Sequence, residues 1–541
     1  MKNQGTVAIV LHSHLPYVRH PESEAVLEEL WLYEAITETY IPFLQMCEQL
    51  LAEGIEFRYT VSVTPTLAHM LDDALLRARY QRHLERLLEL AEKEVVRTRW
   101  QPEYHAVACH YRRNLASIHQ FWCRFGGDLL TAYRELQQRG VIEIIASAAT
   151  HGFLPLLQPN PQAVQAQITI GVEAYRRTFG VEPRGFWLPE CGFYPEVSQY
   201  LAEAGLRYTF LDSHGIIHGR PRPRYAVYSP VYSPEGVAFF GRDWESSTQV
   251  WSATEGYPGD PIYRDFYRDI GFDLDWEYIA PYLPAGIRGF TGLKYHAITG
   301  KTADKKIYQP QAAIERAAVH AGHFMFNREH QIRWLSTHMD REPIVVAPYD
   351  AELFGHWWYE GPWFLYYLAK KAYYDQKIFR LGTPGDYLGR HPTHQILLPS
   401  PSSWGDGGYN RVWLNDSNEW IYRHLHQAVR RMERLAAAHP DAQGLTRRAL
   451  NQCARELLLA QSSDWAFIMT AGTMTEYAVR RVREHLGIFT QLYHQIDTGQ
   501  IDPAWLGEIE YRDNIFPWLD YRVYNPALPR QQPARQIIRT G

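Results

Sequence analysis

The sequence predicts an α/β fold in which a largely parallel sheet is joined by helices and followed by a helical region. Three observations predict it. Short β-branched runs alternate with helix-like stretches, ionisable residues follow these runs, and the strand signal fades beyond about Pro401. The alternation alone fits either a barrel or a doubly wound layer, so both architectures stay open at this stage.

Several short apolar runs bounded by turn residues are predicted to be buried strands. Helix-like stretches such as residues 85–97 lie between them. The predicted strands are Thr6–Leu11, Phe57–Val63, Val141–Ser147, Gly185–Leu188, Tyr208–Leu211, Val237–Phe240 and Ile344–Ala347.

The distribution of these signals also predicts a domain organisation. Residues 1–400 are expected to form the main α/β domain, with a helical insertion at residues 67–140, and residues 401–541 to form a C-terminal helical domain. Residues 219–236 are rich in Pro and Arg and lack periodicity, so we expect a long loop over the site. An ordinary surface loop without a role in the site is an equally good explanation. If the loop does cover the site, Tyr228 and Tyr232 are candidates to assist group transfer.

Composition excludes several classes of function. The formal charge of −5 argues against a nucleic-acid partner, and no apolar run approaches the ~20 residues needed to cross a membrane. No signal-peptide pattern precedes the first strand, so we expect a cytoplasmic protein. Five scattered cysteines without a C-x-x-C pair indicate neither disulfides nor a cysteine zinc site. The 14% aromatic content hints at stacking on sugars, although core packing must account for most of it.

Ionisable residues follow six of the predicted strands. Because active-site residues of a (β/α) barrel gather at the carboxyl ends of its strands, we expect these side chains to be neighbours. Any one of them alone would more often be a helix cap or a turn residue. The residues are His12, His14, His151, Glu190, Asp212, His214, Arg242, Asp243, Asp350 and Glu352.

Glu190 and Asp350 are the candidate catalytic pair. Both follow a predicted strand and both lie among aromatic residues. Two carboxylates suffice to cleave a glycosidic bond, since one can attack the sugar or activate water while the other protonates the departing oxygen. Apolar surroundings can hold one carboxyl group protonated while hydrogen bonds keep the other ionised. Most carboxylate pairs are structural, however, and Glu352 competes for the role of the acid.

His12 and His14 allow three interpretations. They are spaced i and i+2 in an extended segment, so they point the same way and could bind a metal with at least one further ligand, for which the candidates are His151, Asp212, His214 and Asp350. No H-E-x-x-H pattern completes such a site. We favour imidazoles that hydrogen-bond sugar hydroxyls and orient a carboxylate. Histidines that only satisfy buried backbone groups are the third interpretation.

Two segments nearer the C-terminus carry aromatic candidates. Residues 399–416 hold Trp404 and Trp413 around a glycine-rich turn, where both rings could present flat faces to sugars. Asp464 and Trp465 lie on a helical segment, where a helix cap and a core aromatic are the commoner roles for such residues.

Five ordered motifs resemble the conserved regions of glycoside hydrolase family 57. They are HSHLPY (12–17), ATHGF (149–153), WLPECGFYP (187–195), APYDAELFGHWWYEG (347–361) and SSWGDGGYNRVWLND (402–416). The resemblance implies an incomplete (β/α)7 barrel with a helical insertion and a C-terminal all-helical domain, acting on α-glucans with retention and with neither metal nor other cofactor.

The same resemblance implies roles for individual residues. Glu190 would be the nucleophile and Asp350 the general acid/base. Other residues would contact or frame the glucan, with looser matches around the last three of them: His12, His14, His151, Trp404, Trp413, Asp464, Trp31, Trp276 and Arg242.

Members of this family differ in their product. The length of the chain and the helical C-terminus without a β-rich extension resemble those of 1,4-α-glucan branching enzymes, so α-1,6 branching of amylose, amylopectin or glycogen-like chains by a monomer or weak oligomer is expected. A 4-α-glucanotransferase or α-amylase of the same family is the nearest alternative. A metal-dependent, polysaccharide deacetylase-like hydrolase and a non-enzymatic glucan-binding module are the readings from other classes.

Overall fold

The computed structural model describes residues 4–252, 255–283 and 286–527. The chain divides into two compact units. The first unit comprises Met1–Val61, Met70–Glu143 and Asp243–Tyr387, and the second comprises Ser62–His69, Ile144–Arg242 and Leu388–Gly541. The C-terminal residues 528–541 of the predicted helical domain lie outside the described residues, and the predicted domain boundaries stay predictions.

Each of the seven predicted strands is present, and its ends differ from the expected ones by at most three residues. Two further strands, of two and three residues, were not predicted. The strands are β1 (Gly5–Ser13), β2 (Tyr59–Val63), β3 (Ile142–Ser147), β4 (Gly185–Trp187), β5 (Tyr208–Leu211), β6 (Val231–Tyr232), β7 (Ala238–Gly241), β8 (Ile344–Asp350) and β9 (Phe379–Leu381).

Helices occupy most of the remaining described chain. In the first half they are α1 (Glu29–Ala35), α2 (Ile41–Ala52), α3 (Pro65–Asp72), α4 (Ala74–Arg97), α5 (Pro102–Arg124), α6 (Leu129–Gln138), α7 (Leu154–Leu157), α8 (Pro161–Phe179), α9 (Val197–Glu203), α10 (Ser213–Ile217) and α11 (Trp244–Trp251). In the second half they are α12 (Ile270–Asp273), α13 (Trp276–Ile279), α14 (Pro310–His338), α15 (Gly361–Tyr374), α16 (Pro384–Arg390), α17 (Trp420–Ala438), α18 (Gly444–Ala460), α19 (Ser463–Ala471), α20 (Thr475–Thr498) and α21 (Pro503–Arg512).

In the first unit, β1 lies between β8 and β9 and pairs with both in parallel. The residues of β1 are all buried, as expected for a strand covered on both faces. The register aligns Thr6 with Ile344 at one end and His12 with Asp350 at the other. Parallel pairing therefore brings the residues at the carboxyl ends of β1 and β8 side by side.

In the second unit, β3, β4, β5 and β7 pair in parallel in that order, and β6 adds an antiparallel edge to β7. Glu190, Asp212 and Arg242 each come within three residues of the end of one of these strands. The parallel direction gathers the three side chains at the same edge of the sheet.

Some of the helices begin with a side-chain cap. Asp73 caps α4 by accepting a hydrogen bond from the backbone N–H of Leu76 at 3.0 Å. Helix α18 is buried over most of its second part, from Ala449 to Ala460, and it packs against α20 and α17. From residue 401 onward the described chain contains helices and turns but no strand, as the fading strand signal predicted.

The predicted loop at residues 219–236 is less irregular than expected. It contains β6, and the Tyr232 N–H donates to the Gln395 carbonyl at 2.8 Å while the Leu397 N–H donates to the Tyr232 carbonyl at 2.9 Å. The expectation of a loop without secondary structure is therefore wrong at Val231 and Tyr232, which pair with the edge of β7. Among the helices of the described chain, none is long and apolar enough to cross a membrane.

Candidate active site

Glu190 lies in a strained turn just beyond β4. It is the middle residue of a 3-10 turn, Pro189–Cys191, and has φ 62° and ψ 21°; Cys191 follows with φ 50°. The left-handed region is rarely occupied by residues other than glycine, and strain of this kind is typical of functional sites. The Trp404 N–H donates to the Glu190 carbonyl at 3.0 Å, which fixes the turn from a distant part of the sequence.

The Glu190 carboxylate receives one side-chain donor on each oxygen. Trp404 Nε1 donates to Oε2 at 2.8 Å, and the Ser463 hydroxyl donates to Oε1 at 3.0 Å. His151, itself in a left-handed conformation, contacts Ser463 Oγ through Nδ1 at 2.8 Å and lies 3.8 Å from Oε1. Hydrogen bonds to a carboxylate favour its ionised form, so this arrangement suits a nucleophile.

A connected series of charged and polar side chains supports the loop that carries Trp404. The Arg242 guanidinium lies 5.7 Å from the Trp404 ring centre and 3.2 Å from Asp212, which also contacts His214 at 3.2 Å. His214 Nε2 then donates to the Gly408 carbonyl at 2.6 Å. Gly408 has φ 78°, and a Cβ there would lie 2.8 Å from the His214 ring, so only glycine fits.

These charges reinforce one another. Burial raises the pKa of Asp212, but the hydrogen bond with His214 and the charge of Arg242 outweigh burial and lower that pKa below its ordinary value. The hydrogen bond to Asp212 in turn raises the pKa of His214. The pair therefore favours an ionised carboxylate beside a protonated imidazole, which anchors the Trp404 loop.

Trp413 and Asp464 also belong to the second unit, and Trp413 does not present the flat face to sugars that the sequence predicted. Trp413 is only 1% exposed, and its ring stacks on Phe153 with centroids 4.4 Å apart. It therefore frames the loop from within, without an open face. Asp464 lies in the first turn of α19, where it accepts a hydrogen bond from the Ser462 hydroxyl and is adjacent to Ser463.

Asp350 ends β8 in the first unit, opposite His12 in the register with β1. His12 is 2% exposed and stacks on His14 with centroids 5.7 Å apart. Burial, with a contribution from His14, lowers the pKa of His12 well below its usual range. A neutral imidazole beside Asp350 can donate or accept a hydrogen bond without adding a charge.

Glu352 is tied into the backbone of the same unit. Its Oε1 accepts the His14 N–H at 3.2 Å and the Tyr40 hydroxyl at 2.5 Å. Burial raises the pKa of Glu352. Glu352 thus holds the His14 segment, which is a different task from that of a freely exchanging acid.

Trp31 and Trp276 also belong to the first unit. Trp31 lies in α1 and is half-buried, whereas Trp276 begins α13 and is 38% exposed. The Arg288 guanidinium lies 5.6 Å from the Trp276 ring centre. One face of Trp276 can therefore be covered by Arg288 while the ring stays accessible, which suits a sugar platform.

One buried cluster in the second unit has the residue types of a metal site. Ligand atoms of Glu456, His485 and Asp513 lie within 4.8 Å of one another. However, Arg512 contacts Asp513 at 2.8 Å and Arg481 lies 3.7 Å from it. Guanidinium groups already balance the Asp513 carboxylate, so the cluster is better described as an ion-pair network.

Sequence reasoning missed two partners of the predicted residues. Ser463 stands beside Asp464 in the sequence but gave no signal of its own, and it is 273 residues away from Glu190. Tyr40 lies 312 residues before Glu352 in a stretch that reads only as helix. Contacts of this kind depend on tertiary packing, which a single sequence does not encode as a motif.

Two family models match the chain. The model described as Glycosyl hydrolase family 57 matches residues 8–399, and the one described as 1,4-alpha-glucan branching enzyme, C-terminal, matches residues 424–524. Among curated proteins, a 1,4-alpha-glucan branching enzyme of Thermococcus kodakarensis is 35% identical over 551 residues, covering 95% of this chain and 77% of the relative. A probable 1,4-alpha-glucan branching enzyme of Mycobacterium tuberculosis is 28% identical, covering 96% of this chain and 98% of the relative.

Solved structures agree with these matches. The alpha-amylase AmyC of Thermotoga maritima superposes with a TM-score of 0.92 at 45% identity, covering 97% of this chain and all (100%) of that one. A GH57-type branching enzyme of Pyrococcus horikoshii gives a TM-score of 0.87 at 33% identity, with 98% of each chain covered. The predicted fold class, an incomplete (β/α)7 barrel with a helical insertion and a C-terminal helical domain, is confirmed.

Proposed function

Because the chain belongs to glycosyl hydrolase family 57, we propose that it is a 1,4-α-glucan branching enzyme in which Glu190 is the nucleophile and Asp350 the general acid/base. The observation that carries this choice of product is the match of residues 424–524 to the C-terminal region of branching enzymes. The 35% identity to a branching enzyme along 95% of the chain supports the same choice.

In the first step, a Glu190 oxygen attacks the anomeric carbon of an α-1,4-linked glucose. The bond between that carbon and the glycosidic oxygen breaks, and Asp350 transfers its proton to the departing oxygen. The products are a covalent glycosyl ester on Glu190 and a shortened glucan that leaves. The donors from Trp404 and Ser463 support this step because they hold the carboxylate in one orientation.

In the second step, ionised Asp350 removes the proton from the 6-hydroxyl of an acceptor glucan. The acceptor oxygen attacks the anomeric carbon, the ester bond to Glu190 breaks, and an α-1,6 branch forms with overall retention. A retaining mechanism requires the two carboxylates about 5 to 5.5 Å apart, whereas about 6.5 to 9.5 Å would indicate inversion. The proposal also includes a glycogen-type product, no cofactor and a cytoplasmic location.

The surroundings of the two carboxylates suit a sugar substrate. The neutral His12 and the adjacent His14 can hydrogen-bond sugar hydroxyls next to Asp350. Trp276 offers an accessible ring for an acceptor chain, and Trp404 is partly exposed beside Glu190. Binding an acceptor in this way favours transfer over hydrolysis, because it competes with water for the same intermediate.

The test is proton NMR of amylose incubated with the purified full-length chain, in which α-1,6 anomeric signals and reducing ends are followed together. We expect α-1,6 signals to grow with few lasting reducing ends. Rearrangement of α-1,4 chains alone would replace branching with 4-α-glucanotransfer. A parallel incubation with a chelator should give the same spectrum, and a loss reversed by added zinc would replace the proposal with a metal-dependent hydrolase.

The 45% identity to a protein described as an alpha-amylase makes hydrolysis the second candidate. Hydrolysis uses the same glycosyl intermediate and differs only in the acceptor, which is then water. In the same NMR experiment, reducing ends without α-1,6 signals would establish hydrolysis as the activity.

A further inference from the structure

A π-helical turn lies between helices α1 and α2, before the predicted helical insertion at residues 67–140. Residues Ile36–Tyr40 form this π turn between α1 and α2, and all five are buried. Such turns are rare in proteins and occur frequently at functional sites. The turn belongs to the first unit, as do Asp350 and the segment that follows it.

Two side chains of the π turn contact the loop that follows Asp350. The Tyr40 hydroxyl donates to Glu352, two residues after Asp350, at 2.5 Å. Glu38 Oε2 contacts Nδ1 of His356, six residues after Asp350, at 2.8 Å. Glu38 and Tyr40 therefore both contact the loop that follows Asp350, at two points four residues apart.

The backbone of the loop also rests on the π turn. Gly355 has φ 127°, and a Cβ at this position would lie 1.8 Å from the Glu38 carbonyl oxygen. Any other residue would push the loop away from the turn. Because Gly355 lies between the two side-chain contacts, the loop is held at three successive points.

Glu38 is itself fixed by a second partner. Its Oε1 accepts from Nη1 of the buried Arg264 at 2.8 Å, and the Arg264 guanidinium lies 4.0 Å from the centre of the Tyr359 ring. The Arg264 N–H donates to Glu360 at 3.1 Å. Arg264 therefore links Glu38 to the far end of the same loop.

The charge state of Glu38 is firmly set. Burial alone would raise the pKa of Glu38, but Arg264 and His356 outweigh burial and lower that pKa to about 2. Burial and the Glu352 carboxylate raise the pKa of Tyr40 well above its usual range. Glu38 is therefore an anion and Tyr40 a hydroxyl donor throughout the pH range in which an enzyme of this kind is assayed.

We propose that the π turn positions Asp350 for proton transfer, with Glu38 acting through His356 and Arg264 and Tyr40 acting through Glu352. Neither is a catalytic residue, since each acts through the loop that begins at Asp350. The proposal rests on the assignment of Asp350 as the general acid/base. The turn would fix the carboxyl group of Asp350 relative to the glycosidic oxygen, which must lie within hydrogen-bond reach for protonation.

The test compares Tyr40→Phe and Glu38→Gln with the wild type on two substrates. A malto-oligosaccharide needs its leaving oxygen protonated, whereas a 2,4-dinitrophenyl α-maltoside has a leaving group that departs without a proton. We expect kcat/KM to fall by about 10- to 100-fold on the malto-oligosaccharide, the loss typical of a removed hydrogen bond to a charged group. The initial burst of dinitrophenol should stay within about threefold of the wild type, because that step needs no acid.

Thr37→Val is the matched control within the same π turn. The Thr37 hydroxyl donates to the Tyr33 carbonyl at 2.8 Å and pairs with Tyr80 at 3.0 Å, so it faces α4 and does not contact the loop. This variant reports the effect of disturbing the turn alone. Equal losses on both substrates, no loss on either, or the same substrate pattern in Thr37→Val would overturn the proposal.

Asp350→Asn separates this proposal from the proposed function. If Asp350→Asn loses the malto-oligosaccharide activity and keeps the dinitrophenol burst, Asp350 is the acid, and the two π-turn variants then test positioning. If it loses both equally, the assignment of Asp350 fails and the positioning proposal falls with it. A wild type that cleaves neither substrate would refute the proposed function before any variant is compared.

Discussion

Glu190 and Asp350 are held in place by different means, and the difference matches the tasks proposed for them. Glu190 lies in a left-handed backbone conformation, and both of its carboxylate oxygens accept side-chain donors from distant parts of the sequence. Asp350 ends a regular strand with φ −66° and ψ 132°, and the strand register and the loop after it define its place.

The comparison teaches what each role requires. A nucleophile must stay ionised and keep one orientation, so donors fixed on its oxygens are an advantage. An acid/base must gain and lose a proton within one turnover, so a rigid scaffold can fix the position of its carboxyl group in both protonation states. The π turn, which contacts the loop after Asp350, supplies this rigidity from outside the carboxyl group.

The largest expected effect comes from removing the two carboxylates one at a time. Glu190→Gln should lower kcat on both the malto-oligosaccharide and the dinitrophenyl maltoside by on the order of 10⁵-fold, as loss of a nucleophile does.

Asp350→Asn should lower kcat/KM on the malto-oligosaccharide by about 10²- to 10⁴-fold, the contribution of general acid catalysis. Steady-state and burst kinetics measure both.

An unchanged melting temperature in each variant is the control for folding. Substantial activity in Glu190→Gln would remove Glu190 from the role of nucleophile. If instead Glu190→Gln were selective for the malto-oligosaccharide and Asp350→Asn were not, the two roles would have to be exchanged.

The sequence predicted the reacting groups better than their supports. Glu190 and Asp350 each follow an apolar run that reads as a strand, so the strand ends located them. Ser463 and Tyr40 reach these regions through helix packing, at separations of 273 and 312 residues from the carboxylates that they contact. The π turn at Ile36–Tyr40 gave no periodic signal, because polar and apolar residues are buried alike in it.

The fold shows the same division. Seven strands were predicted because each lies in an apolar run with its own composition, whereas β6 and β9 are short segments that pair with a neighbouring strand. The sequence predicted that Trp413 presents an open face to sugars. Its stacking on Phe153 joins two distant parts of the sequence, so no local pattern could predict it. Local chemistry was predictable, and the choice of partners was not.

A smaller effect should follow from removing one donor to Glu190. Trp404→Phe deletes the Nε1–H that contacts Oε2 at 2.8 Å and keeps an aromatic ring in the same loop. We expect kcat/KM to fall by about 10- to 100-fold on both substrates, since a hydrogen bond to a charged group is lost in the step that both share. This pattern would contrast with Tyr40→Phe, which should spare the dinitrophenyl maltoside.

Ser463→Ala provides the second donor for this comparison. It removes the hydroxyl that joins Oε1 of Glu190 to His151. A loss on both substrates similar to that of Trp404→Phe would place the two donors in one role. Selectivity for the malto-oligosaccharide in either variant would contradict the separate supports inferred for the two carboxylates.

The smallest effect concerns a carboxylate that is buried without being part of the site. Glu456 in α18 accepts a hydrogen bond from Gln452 Nε2 at 2.7 Å and pairs with His485 Nδ1 at 2.7 Å. Burial raises its pKa to about 7 from an ordinary value of 4.5. The folded chain therefore retains a proton that the unfolded chain releases between about pH 4.5 and 7.

The sign of the pH dependence follows from this proton. Stability from Glu456 is fully present below about pH 4.5 and is lost as the pH rises through about 7. Glu456→Gln stays neutral, so its melting temperature should gain on the wild type across that interval, by an amount equivalent to about 1 to 3 kcal/mol. Differential scanning fluorimetry of both chains from pH 4 to 8 measures the difference. A constant offset would mean that His485 and the nearby arginines keep Glu456 ionised throughout, and that hydrogen bonds govern buried carboxylates here as firmly as they are proposed to govern Glu190.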